Sequence, residues 1–390
     1  MVSTVAIGRP TALTLDHFLS GETDRIELRS FYPFLGLIVE QFHHSVALEG
    51  HPALNRVLVG LPKRIRQADG TSCTVVSIGD PVAFDELVKK PEAWWPRYPS
   101  AIDARRLRDR ITREGNTLLI NTAISVALLA ELYTTTSDAE AKRQDWQFHH
   151  RTRLTVGSCP IADFGIMAGS VNSPGIGQLA YYDTLAKSTT YGQDPNDHYW
   201  IYFTTIRGEV LYLDCGLYTL SPGSVLKADP YVADHLTERF TLIPTFLRDS
   251  VARKTMTNIH TERSRTSVLK NPEILEALMR NQREFEKENG ELYSQFMQSI
   301  SGRETSARDK RLVTPFVQVT RAQIRANLLN GRWKAYPPEP ALVSDVYDLI
   351  RPPPSSGVKQ VNAVFAGWQG ELKKIEDREA RARGAGTKHH

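Results

Sequence analysis

The 390-residue chain has only three cysteines, Cys73, Cys159 and Cys215. They are too few and too scattered for a disulfide framework, and no Cys-x-x-Cys pair offers a zinc site. No His-Glu-x-x-His occurs either, so the histidine pairs 43–44 and 149–150 give no metal motif, and neither a metal nor a cofactor is expected. A long apolar run is also lacking. The longest, 118–133, contains Asn121, Thr122, Ser125 and Glu131 and falls short of the roughly 20 apolar residues that a membrane span requires. It reads as a buried core helix, and no membrane partner is expected. The opening residues, MVSTVAIGRP, lack the basic start and apolar stretch of a secretory signal. Charge of one sign is scarce too: 48 basic against 44 acidic residues leave a formal +4, no reason in itself to invoke nucleic acid. These absences point to free thiols in a reducing, cytoplasmic compartment.

What is present is an ordinary globular composition, 41% hydrophobic and 24% charged, with a change of character near residue 154. Residues 1–25 read as an arm. From 26 to 153 the pattern is mainly helical: 31–66 with a break at Gly50-His51-Pro52, a charged helix at 99–115, the buried one from Asn116, and another at 137–150. A β-branched stretch, 71–78, is the strand of this region. Residues 154–222 carry glycine punctuation and then three aromatic runs, 178–185, 198–206 and 209–220, which predict an antiparallel meander. Helices are expected again over 223–350, at 229–254, 272–302 and 318–329. A proline-rich break at 351–357 precedes a last helix at 360–382. The fold class is α+β, with the sheet in the middle of the sequence.

The chemistry is expected in that middle segment. Pro160 favours the first position of a helix, which puts Cys159 at an N-cap where the helix dipole favours a thiolate. Further on, Gly208 suits the left-handed position of a three-residue hairpin loop. That loop pairs Thr205 with Glu209, Phe203 with Leu211 and Ile201 with Leu213. The same register sets Trp200 opposite Asp214, with His198 one diagonal step away on that face, whereas a slip of one residue would separate them. Cys159 as nucleophile, His198 as general base and acid, and Asp214 as the orienting group would form a catalytic triad attacking an amide or ester carbonyl.

Cys159, then Gly175-Ile176, His198-Tyr199-Trp200 and Tyr212-Leu213-Asp214 follow one another in an order that resembles the transglutaminase-like (papain-like Cys-His-Asp) superfamily, which includes peptide N-glycanases. The likeness spans about residues 155–216 and departs at Asn172-Ser-Pro-Gly-Ile-Gly. It implies an antiparallel sheet packed on a cysteine-bearing helix, and an acyl-cysteine intermediate passed to water or an amine, as in a hydrolase or acyltransferase. A small-molecule or peptide substrate would then lie against Trp200, Trp146 and Gln147. Two other readings stand beside it. One is a non-catalytic helical scaffold or binding protein with a transglutaminase-like core. The other is a nucleic-acid-linked protein using the arginines of 105–113, although the intervening acids favour a solvated helix face.

Overall fold

The computed structural model describes residues 25–45, 50–66, 72–97, 101–133, 153–172, 177–220, 223–232, 240–249, 259–279 and 285–344. The expected arm, the helices at 137–150 and 360–382, the proline-rich break and the pocket candidates Trp146 and Gln147 lie outside these residues. Helices and strands are mixed throughout, as the α+β class requires.

Three sheets organise the chain. The largest has seven strands: β1 (Arg25–Glu27), β5 (Arg153–Val156), β6 (Cys159–Val171), β9 (His198–Thr205), β10 (Val210–Asp214) and β13 (Phe246–Asp249) in that order, with β14 (His260–Ser267) also paired to β6. A second sheet joins β2 (Arg56–Leu58) and β3 (Lys63–Arg66) to β4 (Ser72–Pro81), then β7 (Gln178–Asp183) and β8 (Ser188–Tyr191). A small third sheet holds β11 (Val225–Lys227) between β12 (Leu242–Pro244) and β15 (Leu342–Ser344).

The β9–β10 hairpin has the register its residues demand. Phe203 faces Leu211 and Ile201 faces Leu213, and Gly208 closes the loop with a φ of 79°. The three aromatic runs do not form one meander, however. The first, β7, pairs in parallel with β4 and belongs to the second sheet. Three other segments differ from their expected state. Residues 56–58 and 63–66 are strands rather than helix, 242–244 and 246–249 are strands within the expected helix 229–254, and 260–267 form β14.

Eight α-helices are described: α1 (Leu28–His43), α2 (Phe84–Lys89), α3 (Ala101–Arg113), α4 (Thr117–Leu128), α5 (Leu217–Leu220), α6 (Pro272–Met279), α7 (Phe285–Ser301) and α8 (Ala307–Leu329). Helix α4 is apolar on nearly every face because it lies between the large sheet and α8, with α1 beside it. Its leucines and isoleucines meet Ile201, Phe203, Leu211 and Leu213 in the main core. Asn121 at its centre donates to the Tyr199 carbonyl at 3.1 Å, which ties helix to strand. A second core lies under β4 and β7, where Val76, Ile78, Leu179 and Tyr181 pack on Trp94, Trp95, Leu107 and Ile111.

The arginines of α3 are turned to structural use. Arg110 donates to the carbonyls of Gly177 and Thr219 at 2.7 and 2.9 Å. Arg113 is buried in an ion pair with Glu40, and Arg108 lies over Trp94. The helix is therefore not the solvated charged face its alternating acids suggested.

Candidate functional site

Cys159 is not at a helix start. Gly157 and Ser158 both have positive φ, 53° and 68°, and Val156 pairs with Cys159 across them. Two left-handed residues make a two-residue hairpin, and Gly-Ser is one of the dipeptides that favour it. Pro160 is consequently the second residue of strand β6. Gly165 and Gly169 lie within this strand, where neighbouring backbone leaves no room for a side chain. A Cβ at Gly169 would meet the Thr261 carbonyl at 2.1 Å and the Trp200 ring at 2.7 Å.

The register of β6 on β9 fixes where the sulfur lies. His198 faces Gly169, whereas Cys159 precedes Ile161, which faces Thr205 at the far end. Ten residues of strand at roughly 3.3 Å each put about 30 Å between the thiol and the imidazole. Cys159 is also buried, as are Cys73 and Cys215. The sequence-derived triad is thus divided: His198 and Asp214 meet, and Cys159 does not join them.

The His–Asp pair is real and fully buried. His198 Nε2 lies 2.7 Å from Asp214 Oδ2, with neither side chain exposed. A partner that sequence reasoning missed, His260, reaches the same oxygen through its own Nε2 at 2.8 Å. The other carboxylate oxygen accepts the N–H groups of Gly216 and Leu217 at 2.8 and 2.9 Å, capping the short helix α5. Burial alone would push its pKa up, but His198 and then His260 outweigh that effect and hold it well below the usual carboxylate range. Burial lowers that of His260, the Asp214 carboxylate opposing it. Trp200, the remaining pocket candidate in view, is also fully buried, its ring 4.8 Å from that of His260.

What faces the other side of the His198 ring is the start of α4. Thr117 and His198 approach over Gly216, where a Cβ would meet Thr117 Oγ1 at 2.9 Å and His198 Cε1 at 3.0 Å. Between them stands Gln193. Thr117 Oγ1 donates to Gln193 Oε1 at 3.3 Å, and Gln193 Nε2 sits 2.8 Å from His198 Nδ1. With the amide donating, Nδ1 is an acceptor and Nε2 carries the proton given to Asp214. Every polar atom of this chain of contacts is then used. An amide takes no proton, so Gln193 insulates the hydroxyl from the imidazole rather than relaying between them.

Gln193 is held from behind by a second buried cluster. A Cβ at Gly192 would lie 2.2 Å from the Glu114 carboxylate, so a larger residue there would have to push that buried side chain aside. Burial pushes Glu114 up to about 7, opposed by the Tyr181 hydroxyl at 2.7 Å, the Arg110 charge and the Gln193 N–H. His51 packs on Tyr181 with ring centroids 4.4 Å apart, and burial holds it down at about 4. Among the described residues no group of three or more His, Cys, Asp or Glu side chains is arranged to hold a metal.

No family model, curated protein or solved structure matches the chain. Its function must be argued from this geometry alone.

Proposed function

We propose that the chain is a non-catalytic scaffold or binding protein built on a transglutaminase-like core. In this reading the place of the nucleophile, at the start of the helix packed on the His–Asp strands, is taken by Thr117 of α4. The order of parts follows the resemblance: a helix start, a strand beginning His-x-Trp, and a strand ending in Asp. What changes is the residue at the helix start, and with it the chemistry. A threonine hydroxyl needs a base in contact to become a nucleophile, and here an amide stands between the two.

The observation that carries the reading is the state of His198. Its side chain is fully buried, one nitrogen is held by Asp214 and the other by Gln193. A general base must offer a nitrogen to the proton it removes, and no nitrogen of this ring is on offer. The constellation is instead a buried polar clamp joining β9, β10, β14 and the start of α5. Removing one member of such a buried network is costly, because its partners are left in the core without their contact, and this gives a structural reason for its residues.

Two reagents test this. Iodoacetamide should label Cys73, Cys159 and Cys215 no faster in the folded protein than in urea, and His198→Ala should not slow that labelling. A fluorophosphonate probe should leave Thr117 unmodified. Rapid neutral-pH labelling of a thiol, or phosphonylation of Thr117, that vanishes in His198→Ala would overturn the reading.

A further inference from the structure

Helix α8 carries apolar residues on two sides. Val313, Val317 and Ile324 are buried in the main core, as an amphipathic helix requires. The side turned to solvent should then be polar, and it is not. Pro315, Val319, Ala322, Ala326 and Leu329 are all exposed, Val319 by 48% and Leu329 by 59%. Their spacing alternates four and three, so at about 100° per residue all five lie within one arc of about 80°. Between Pro315 and Leu329 that arc holds no polar side chain. Gln318 and Arg325 border it on one side and Gln323 on the other, with Arg321 next to Arg325 and both arginines on Glu131. The one acid of the helix itself, Asp309, lies in the first turn. An alternation of four and three is the seam that one helix offers another.

The same alternation recurs in the helix that the sequence predicts at 360–382, through Val361, Phe365, Trp368, Leu372 and Ile375. On such a helix Glu371 and Glu376 stand at the two borders of the seam, and Lys373 and Lys374 on the opposite side. Gly367 and Gly370 make this helix marginal by itself, so it needs its apolar side covered. We propose that segment 360–382 docks along the exposed seam of α8. Large side chains, Phe365, Trp368 and Leu372, would then meet the small Ala322 and Ala326, and the bordering glutamates would meet the arginine border. The segment can reach. Residues 345–359 separate it from Ser344, the end of β15, and extended they span about 50 Å. Helix α8 is only about 35 Å long, and Tyr336 already returns to it, its hydroxyl accepting from Asn327. A tether of this kind sets an effective concentration on the order of millimolar, which a second copy does not match in dilute solution. A second copy would also set the arginine border of α8 against itself. The docking does not depend on the state of His198.

Hydrogen exchange of the full chain, read by mass spectrometry, tests it. Amides across 361–379 should exchange at least about tenfold more slowly than those of an unstructured peptide. Val319→Glu with Ala326→Glu puts charge into the seam and should remove that protection, while the amides of α4 stay protected and certify the fold. Leu372→Ser with Ile375→Ser, which alters no described element, should remove it too. Thiol labelling reads the α8 side. Cys73, Cys159 and Cys215 are buried, so maleimide reports on the thiol introduced by Ala322→Cys. Adding Leu372→Ser and Ile375→Ser should speed that labelling at least about tenfold. Unprotected amides over 361–379 in the unaltered protein, protection that the glutamates leave in place, or labelling that the serines do not speed would each refute the proposal. So would sedimentation-velocity dimers that Val319→Glu with Ala326→Glu dissociates, which would assign the seam to a second copy instead.

Discussion

Asp214 is the residue on which the central polar cluster turns, because it joins both histidines to the start of α5. It accepts from two imidazoles and two backbone N–H groups while fully buried. Replacing it by alanine leaves those four donors without their acceptor, and Asp214→Ala should cost about 3–5 kcal/mol in urea unfolding. Asp214→Asn, which keeps one acceptor oxygen, should cost less. Glu114 makes an independent prediction of opposite sign in pH. Its folded pKa of about 7 stands above the ordinary 4.5, so the folded chain holds a proton that the unfolded chain has released. Its contribution is complete below about pH 4.5 and is lost as pH rises through 7. Glu114→Gln keeps an acceptor for the Tyr181 hydroxyl and removes that slope. Between about pH 4 and pH 8 the stability difference should move toward the variant by roughly 3 kcal/mol. A difference that stays constant with pH would show that Glu114 does not titrate as described. At this scale the sequence was readable where local chemistry was strong, as for His198 and Asp214. It was silent on His260 and Gln193, whose roles depend on strand neighbours far apart in the chain.

Elements decided where the sequence reading went right and where it went wrong. The β9–β10 hairpin was legible because Gly208 and the matched aliphatic pairs gave the same register independently. Cys159 was misread because Pro160 suits a helix start as well as the beginning of a strand, and the Gly157-Ser158 turn signal was passed over. Helix α4 was recognised from its apolar run, yet its first turn was not connected with the His–Asp pair, since that contact requires the helix to lie on β9. Two substitutions examine these junctions. Gly216→Ala would place a methyl about 3 Å from Thr117 and His198, and should cost about 1–3 kcal/mol as the helix start is pushed from the strand. Ser158→Gly relieves a left-handed serine in the β5–β6 turn and should stabilise by about 0.5–1 kcal/mol, read from the denaturation midpoint. A destabilised Ser158→Gly protein would argue against the hairpin.

At the scale of the whole molecule, buried histidines set the pH range in which the fold is stable. Burial lowers the pKa of His43 and His260, and that of His51 to about 4. The unfolded chain takes up protons near pH 6.5 that the folded chain refuses, so stability is full above that value and falls below it. In the Glu114→Gln variant, which lacks the opposite slope, the unfolding midpoint should therefore drop between about pH 7.5 and pH 5.5. The α+β class was visible in the alternation of apolar periods. The division into three sheets was not, because β4 with β7 and β6 with β14 pair across long stretches of chain. The account as a whole rests on a sealed imidazole at the heart of the large sheet. Diethyl pyrocarbonate, which acylates neutral histidines that it can reach, tests this directly when the modified peptides are identified by mass spectrometry. His51, with 24% of its side chain exposed, should be modified in the folded protein, while His198 and His260 should react only after unfolding in urea. Acylation of His198 in the folded chain as fast as that of His51 would contradict the account.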